Sequence, residues 1–310
     1  MSSEKQSSRQ YLINIQKRRS VISLVACTVT FICSFAALGG ELVLYGRNDW
    51  RLSYFFAYFT TISNILTALA GSFIMPYAIT GIRRKRFVLP KWLSMFHYSG
   101  VICITLVFTF MLIFILPYDK DFAIGGPNFF LHVICPIAII VSYFMVESHY
   151  DYSRKEVLKC MIPFFIYSIV YVVMVSIGPE NGGWKDLYKV NTFVPFAVSI
   201  PIAYIGVFAI AILIKKLSDL LYNKRENELI SSWRKDADPV EVKIEVYGLG
   251  RYYGLHGDKN SLSVPFDILE SLSKHYNIEV ADLYSAYAKG LYYGIGEHES
   301  ERVKKSDDKS

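Results

Sequence analysis

Six apolar stretches separated by short polar ones fill the first two-thirds of the chain, at roughly 21–46, 53–80, 93–117, 127–146, 160–177 and 193–214. Each is about 18–28 residues long, and at 1.5 Å per residue a helix of that length crosses ~30 Å of hydrocarbon. The first is interrupted only by Glu41, and the second runs into Arg83-Arg84-Lys85-Arg86. Pro117, Pro163, Pro195 and Pro201 are tolerated as kinks or ends inside a packed bundle. The pattern predicts an all-α membrane protein with six transmembrane helices.

Beyond residue 214 the pattern changes. Residues 215–235 carry Leu217, Leu220, Leu221, Leu229 and Trp233 among basic residues, which predicts a juxtamembrane amphipathic extension of the last helix. Asp236 to Pro239 breaks it. Val240, Val242, Ile244 and Val246 alternate with polar residues, the period of a half-buried strand. Tyr247-Gly248-Leu249-Gly250-Arg251-Tyr252-Tyr253-Gly254 contains G-x-G without the third glycine of a nucleotide fingerprint, so an aromatic-rich loop is expected there. Pro265 to Tyr276 and Glu279 to Tyr292 predict two short helices around a break at Asn277. Residues 297–310 are charged and expected to lack structure. The expected organisation is a basic N-terminus (1–20), a transmembrane domain (21–214), the juxtamembrane helix (215–235), a small cytoplasmic α+β C-terminal module (236–296) and a charged tail (297–310). No internal repeat is read along the chain, so an inverted-repeat transporter is not suggested.

Composition agrees with the membrane reading: 53% of the 310 residues are hydrophobic and 15% aromatic. The net charge of +6 conceals an asymmetry, because residues 236–310 hold 9 Lys and Arg against 14 Asp and Glu. An acidic tail argues against nucleic-acid binding, which needs a basic surface. Lysine and arginine set orientation. They crowd the N-terminus, the 81–92 and 147–159 loops and Lys215-Lys216, whereas the other three loops hold only Arg47, Arg51, Lys120, Lys185 and Lys189. Both termini are therefore expected in the cytoplasm, with Trp50 and Trp184 as outer interfacial anchors and Trp92 as an inner one. The first apolar run is too long for a signal-peptide core. Cys27, Cys33, Cys103, Cys135 and Cys160 lie in or beside apolar segments without a CxxC pair, the pattern of small buried residues rather than of a disulfide framework or zinc site.

Against this background a few polar groups stand out. Thr60, Ser63 and Asn64 lie near the start of the second span; Thr60 and Asn64 share a helix face. His132 lies near the start of the fourth span with Asn128 one turn before it, and Glu41 lies near the outer end of the first. A hydroxyl, an imidazole, a carboxylate and amide donors at one depth suit a nucleophile activated by a neighbouring base. The same groups also suit plain helix-to-helix hydrogen bonding. His97 is expected near the inner boundary, facing headgroups.

Tyr58-Phe59-Thr60 with Ser63-Asn64, followed by His132 and Pro136, resembles the androgen-induced and androgen-dependent TFPI-regulating membrane proteins and their bacterial six-helix relatives. The resemblance covers the six spans. It implies an intramembrane threonine hydrolase of fatty-acid esters of hydroxy fatty acids, with the nucleophile at Thr60 and the base at His132. A bacterial cell membrane is the setting suggested by the bacterial relatives. Neither a metal nor an organic cofactor is implied. Two other readings stay open: a non-catalytic protein that binds lipid, with a tail docking a cytoplasmic protein partner, or a transporter using Glu41 and His132 as a proton relay.

Overall fold

A computed structural model describes residues 8–47, 52–84, 87, 89–120, 124–145, 152–188, 195–232, 238–256 and 266–307. All regular structure among them is helical. We number the helices α1 (Ser8–Arg47), α2 (Leu52–Phe55), α3 (Phe59–Arg84), α4 (Lys91–Ile115), α5 (Pro127–Met145), α6 (Arg154–Cys160), α7 (Ile162–Ile177), α8 (Phe196–Ser232), α9 (Pro239–His256), α10 (Phe266–Tyr276) and α11 (Val280–Asp307). Five of these, α1, α3, α4, α5 and α8, contain stretches long and apolar enough to cross a membrane. The pair α6 and α7, bent by 47° at Met161, makes a sixth if counted as one span. Pro163 stands at the start of α7, where its missing N–H is cheapest. The chain divides into two compact units: 19–80 with 87–219, and 220–310 with 1–18 and 81–86.

The first unit is the bundle. Its largest buried cluster joins α3 to α8 through side chains such as Tyr98, Ile102, Ile139, Met161 and Val207. Ser20, Ser23, Cys27, Thr30 and Ser34 follow one another at steps of three and four along α1, and all are fully buried. They face α5: Ser23 and Cys27 reach the Ser142 hydroxyl at 3.0 and 3.2 Å, and Ser34 reaches Cys135 Sγ at 3.3 Å. Small side chains at this spacing let two helices approach closely where lipid supplies no hydrophobic drive. The cysteines are free, and four of the five are buried.

Three expectations about the bundle change. The second apolar segment is broken: α2 ends at Phe55, a turn follows with the Ala57 N–H bonded to the Tyr54 carbonyl, and α3 starts at Phe59. His97 does not face headgroups; it is 1% exposed, with its ring edge-on to Tyr143. Trp184 is buried against Tyr171 and Ala57 and so is not an exposed anchor, while Trp92 is exposed and Trp50 lies outside the described residues.

The C-terminal module differs most from expectation. Val240 to Val246 is not a strand but the start of α9, and the G-x-G stretch is helix as well. Val242, Val246, Leu249 and Tyr253 form one buried stripe at helical spacing, whereas Val240 and Ile244 are exposed. Positions 242 and 246 satisfy both the period of two and that of a helix, and burial follows the helix. The α+β module is therefore all helical among the described residues. The two short helices appear as α10 and α11, with Asn277 at φ 52° between them. The last helix continues through 297–307, part of the segment expected to lack structure.

The glycines explain why α9 forms a helix at all. A Cβ on Gly250 would overlap the Tyr287 carbonyl oxygen, and one on Gly290 would overlap that of Tyr247. Gly254 and Gly294 stand in the same relation to the carbonyls of Leu291 and Arg251. Two G-x-x-x-G helices thus run parallel in backbone contact, the geometry that small-xxx-small motifs allow. Every partner in this set has a counterpart 40 positions away. The sequence carries the same offset: Val240, Tyr247, Gly250, Tyr252, Tyr253 and Gly254 recur as Val280, Tyr287, Gly290, Tyr292, Tyr293 and Gly294. An internal repeat is therefore present, in the tail rather than in the spans, and a local two-fold axis between α9 and α11 relates its halves.

Candidate active site

The site is assembled from the first turns of α3 and α5. At the start of α3 the backbone N–H groups have no preceding turn to accept them. Tyr188 takes one, its hydroxyl accepting from the Phe59 N–H at 2.8 Å, and the Tyr58 carbonyl accepts from Thr61 at 3.1 Å. The Tyr167 hydroxyl donates to the Ala57 carbonyl at 2.5 Å, so two tyrosines fix the turn from which α3 springs. Between these bonded neighbours the Thr60 N–H makes no hydrogen bond to a described residue. Thr60 is consequently the second residue of its helix, next to the positive end of the helix dipole.

In α5 the backbone departs from the α-helix where His132 lies. Phe130–Ile134 forms a π-helical turn, closed by the Cys135 N–H on the Phe130 carbonyl. Pro136 supplies the cause: it has no N–H to give the His132 carbonyl four residues back, and its ring crowds that carbonyl. Widening the turn moves the Cys135 N–H off the Leu131 carbonyl, its α-helical partner. Asn64 of α3 fills the gap, donating from Nδ2 to the Leu131 oxygen at 3.2 Å. The same Nδ2 donates to the Thr60 carbonyl at 2.8 Å. π-turns are enriched at functional sites because they re-aim side chains. The end of α4 repeats the pattern, with a π-turn at Met111–Ile115 two residues before Pro117.

The outcome is a contact of 3.2 Å between Thr60 Oγ1 and His132 Nε2. His132 is 4% exposed and Asn64 is fully buried, while Thr60 is half-buried. Leu131 packs with Ala37, Leu38 and Phe55 on one side, and the Phe59 ring packs on Phe164 and Tyr167 on the other. In such apolar surroundings electrostatic interactions are stronger than in water.

Of the residues singled out by sequence, Thr60, His132 and Asn64 come together. Ser63 donates to the Thr60 carbonyl at 3.0 Å, within its own helix. Asn128 lies in the first turn of α5, half-buried, one turn before His132. Glu41 is half-buried on α1 and is joined to neither Thr60 nor His132 by a hydrogen bond or ion pair among the described residues. Both Nδ2 hydrogens of Asn64 are committed to carbonyls, so this amide holds backbone and is not available to a ligand; its Oδ1 is buried without a partner. Tyr167 and Tyr188 escaped the sequence reading because a tyrosine in an aromatic-rich span looks like packing. Among the described residues no three His, Cys, Asp or Glu side chains converge as a metal site requires. Comparison of the chain with protein-family models, with curated proteins and with solved structures returns no match.

Proposed function

We propose that this chain is an intramembrane lipid-ester hydrolase of six spans, α6 with α7 counting as one, whose termini both lie on the cytoplasmic side. Thr60 is the nucleophile and His132 the general base. The observation that carries the reading is the 3.2 Å contact between Thr60 Oγ1 and His132 Nε2 within an apolar layer. It lies at the limit for direct proton transfer, and such contacts shorten when substrate binds. The imidazole acts as base with its proton on Nδ1, so that Nε2 accepts from Thr60 Oγ1. Thr60 Oγ attacks the ester carbonyl carbon while its proton passes to Nε2. The tetrahedral oxyanion is held by the Thr60 N–H at the positive end of α3 and by the Asn128 amide. Collapse breaks the bond to the alcohol oxygen, which takes the proton from the imidazolium. Water, deprotonated by the same imidazole, then attacks the acyl-threonine; the bond from the acyl carbon to Thr60 Oγ breaks, Thr60 Oγ takes the proton back from the imidazolium, and the fatty acid leaves. The substrate class is a fatty-acid ester residing in the membrane, in line with the family resemblance of Thr60 and His132.

The test is hydrolysis of a long-chain fatty-acid ester by the purified chain in liposomes. Thr60→Ala and His132→Ala should each lose at least ~10²-fold, and the double variant should be no worse, because the two act as one unit. Thr60→Ser should retain activity. A fluorophosphonate should label the wild type and not Thr60→Ala. Normally folded single variants with unchanged turnover would replace this reading with non-catalytic lipid binding.

A further inference from the structure

The loop after α7 turns back onto the start of α3. The Trp184 N–H donates to the Met174 carbonyl and the Gly183 N–H to the Gly178 carbonyl, both at 2.8 Å. A Cβ at position 183 would overlap the Met174 carbonyl oxygen, so glycine lets the chain pass this close to the end of α7. The return lays Asp186 and Tyr188 beside Tyr171. The Tyr171 hydroxyl donates to Asp186 Oδ1 at 3.0 Å and accepts from the Tyr188 N–H at 3.1 Å. Tyr188 is thus held by its backbone before its side chain reaches α3. From there the donor directions follow from chemistry. The Phe59 N–H can only donate, to the Tyr188 hydroxyl at 2.8 Å, and the Ala57 carbonyl can only accept, from Tyr167 at 2.5 Å. Tyr167 and Tyr188 are also bonded to each other; with the Tyr167 proton committed to Ala57, the Tyr188 proton points at Tyr167. One chain therefore runs from the Phe59 N–H through Tyr188 and Tyr167 to the Ala57 carbonyl, and it ties together the two ends of the turn that precedes Thr60.

We infer that Tyr188 is a positioning residue of the hydrolytic site: it occupies the Phe59 N–H and holds the turn so that the next donor, the Thr60 N–H, faces the developing oxyanion. This role rests on the hydrolase reading of Thr60 and His132. Ala57 is fully buried and Phe59 is 7% exposed, so water does not stand in for a lost phenol. Without the Tyr188 hydroxyl the Phe59 N–H is left unpaired in an apolar layer, and the turn must shift to satisfy it. The shift falls on Thr60, the adjoining residue, whose N–H and Oγ1 both act in the reaction. A displacement of about 1 Å at a reacting group costs up to ~10²-fold in rate.

The test is steady-state hydrolysis of a long-chain fatty-acid ester by the full chain in liposomes, with turnover counted per site titrated to completion by a fluorophosphonate. Tyr188→Phe should lower kcat by ~10–10²-fold and leave KM unchanged, because the lost interaction matters in the transition state alone. Tyr98→Phe is the control for a purely structural hydroxyl: it removes a buried bond to the Ala211 carbonyl, and should lower the melting temperature without changing kcat per site. Asp186→Ala releases Tyr171 and should give a smaller loss of the same kind. Asp186→Asn keeps an acceptor for the Tyr171 hydroxyl and should retain wild-type turnover. If Tyr188→Phe does not fold, this Asp186 pair makes the same comparison. Amide exchange over residues 58–61 should quicken in Tyr188→Phe and not in Tyr98→Phe. An active wild type with unchanged kcat in Tyr188→Phe, or a loss carried by KM, overturns the role of Tyr188 and leaves the hydrolase proposal standing. A wild type that turns over no ester removes the hydrolase proposal, and the role of Tyr188 with it.

Discussion

Asn64 is the residue on which the candidate site turns, and its role comes from a backbone departure in another helix. The π-turn set by Pro136 leaves the Leu131 carbonyl without its α-helical donor, and Asn64 supplies one. Asn64→Leu should therefore cost about 1–3 kcal/mol of bundle stability, the penalty for an unpaired buried carbonyl. Pro136→Ala restores an N–H to the His132 carbonyl, lets the turn close as α-helix and returns the Cys135 N–H to Leu131. In that background Asn64→Leu should cost less, with a coupling of at least ~1 kcal/mol in thermal unfolding of the solubilised chain. Additive losses would show that Asn64 does not close the gap. Thr60 and His132 were legible as polar groups stranded in apolar runs, and so was Asn64. What Asn64 does was not legible, because hydropathy carries no record of which carbonyl a π-turn releases. Tyr188, which supports the first turn of α3 from 129 residues away, gave no signal of its own.

Helices were readable where length alone decides and misread where two periods overlap. The spans follow from apolar length, and even there the break between α2 and α3 went unseen, because Phe56, Ala57 and Tyr58 are as apolar in the turn as in a helix. In α9 the valines at 242 and 246 fit a strand and a helix alike, and glycine-rich sequence argued for a loop. The deciding feature was non-local: Gly250 and Gly254 of one helix and Gly290 and Gly294 of the other each face a carbonyl across the pair. Gly290→Leu should separate the pair and expose the tail to limited proteolysis, since overpacking costs about 1–3 kcal/mol and here strikes backbone. Gly296→Ala, with open space around its Cα, should leave protection unchanged. Equal proteolysis of both variants would sink the close-packed pair.

At the scale of the molecule, the basic loops and the unit division lead to two expectations. Cysteines placed at Asp49 and Glu180 should react with an impermeant maleimide from outside intact cells, and one at Lys85 should not; the reverse pattern inverts the proposed topology. Removing 239–310 should leave the melting transition of the bundle in place, since that segment belongs to the other compact unit; loss of the transition would make the tail a structural necessity. The proline behind the π-turn carries a warning for anyone interpreting sequence variants of this chain. Pro136→Leu preserves every hydropathy criterion by which a membrane segment is recognised and inserted, so the variant protein should accumulate at normal levels with normal orientation. Yet it removes the cause of the wide turn and lets His132 rotate with the straightened helix. A survey scored on abundance alone would therefore file it as neutral, while a survey scored on chemistry would rank it beside the loss of the imidazole itself.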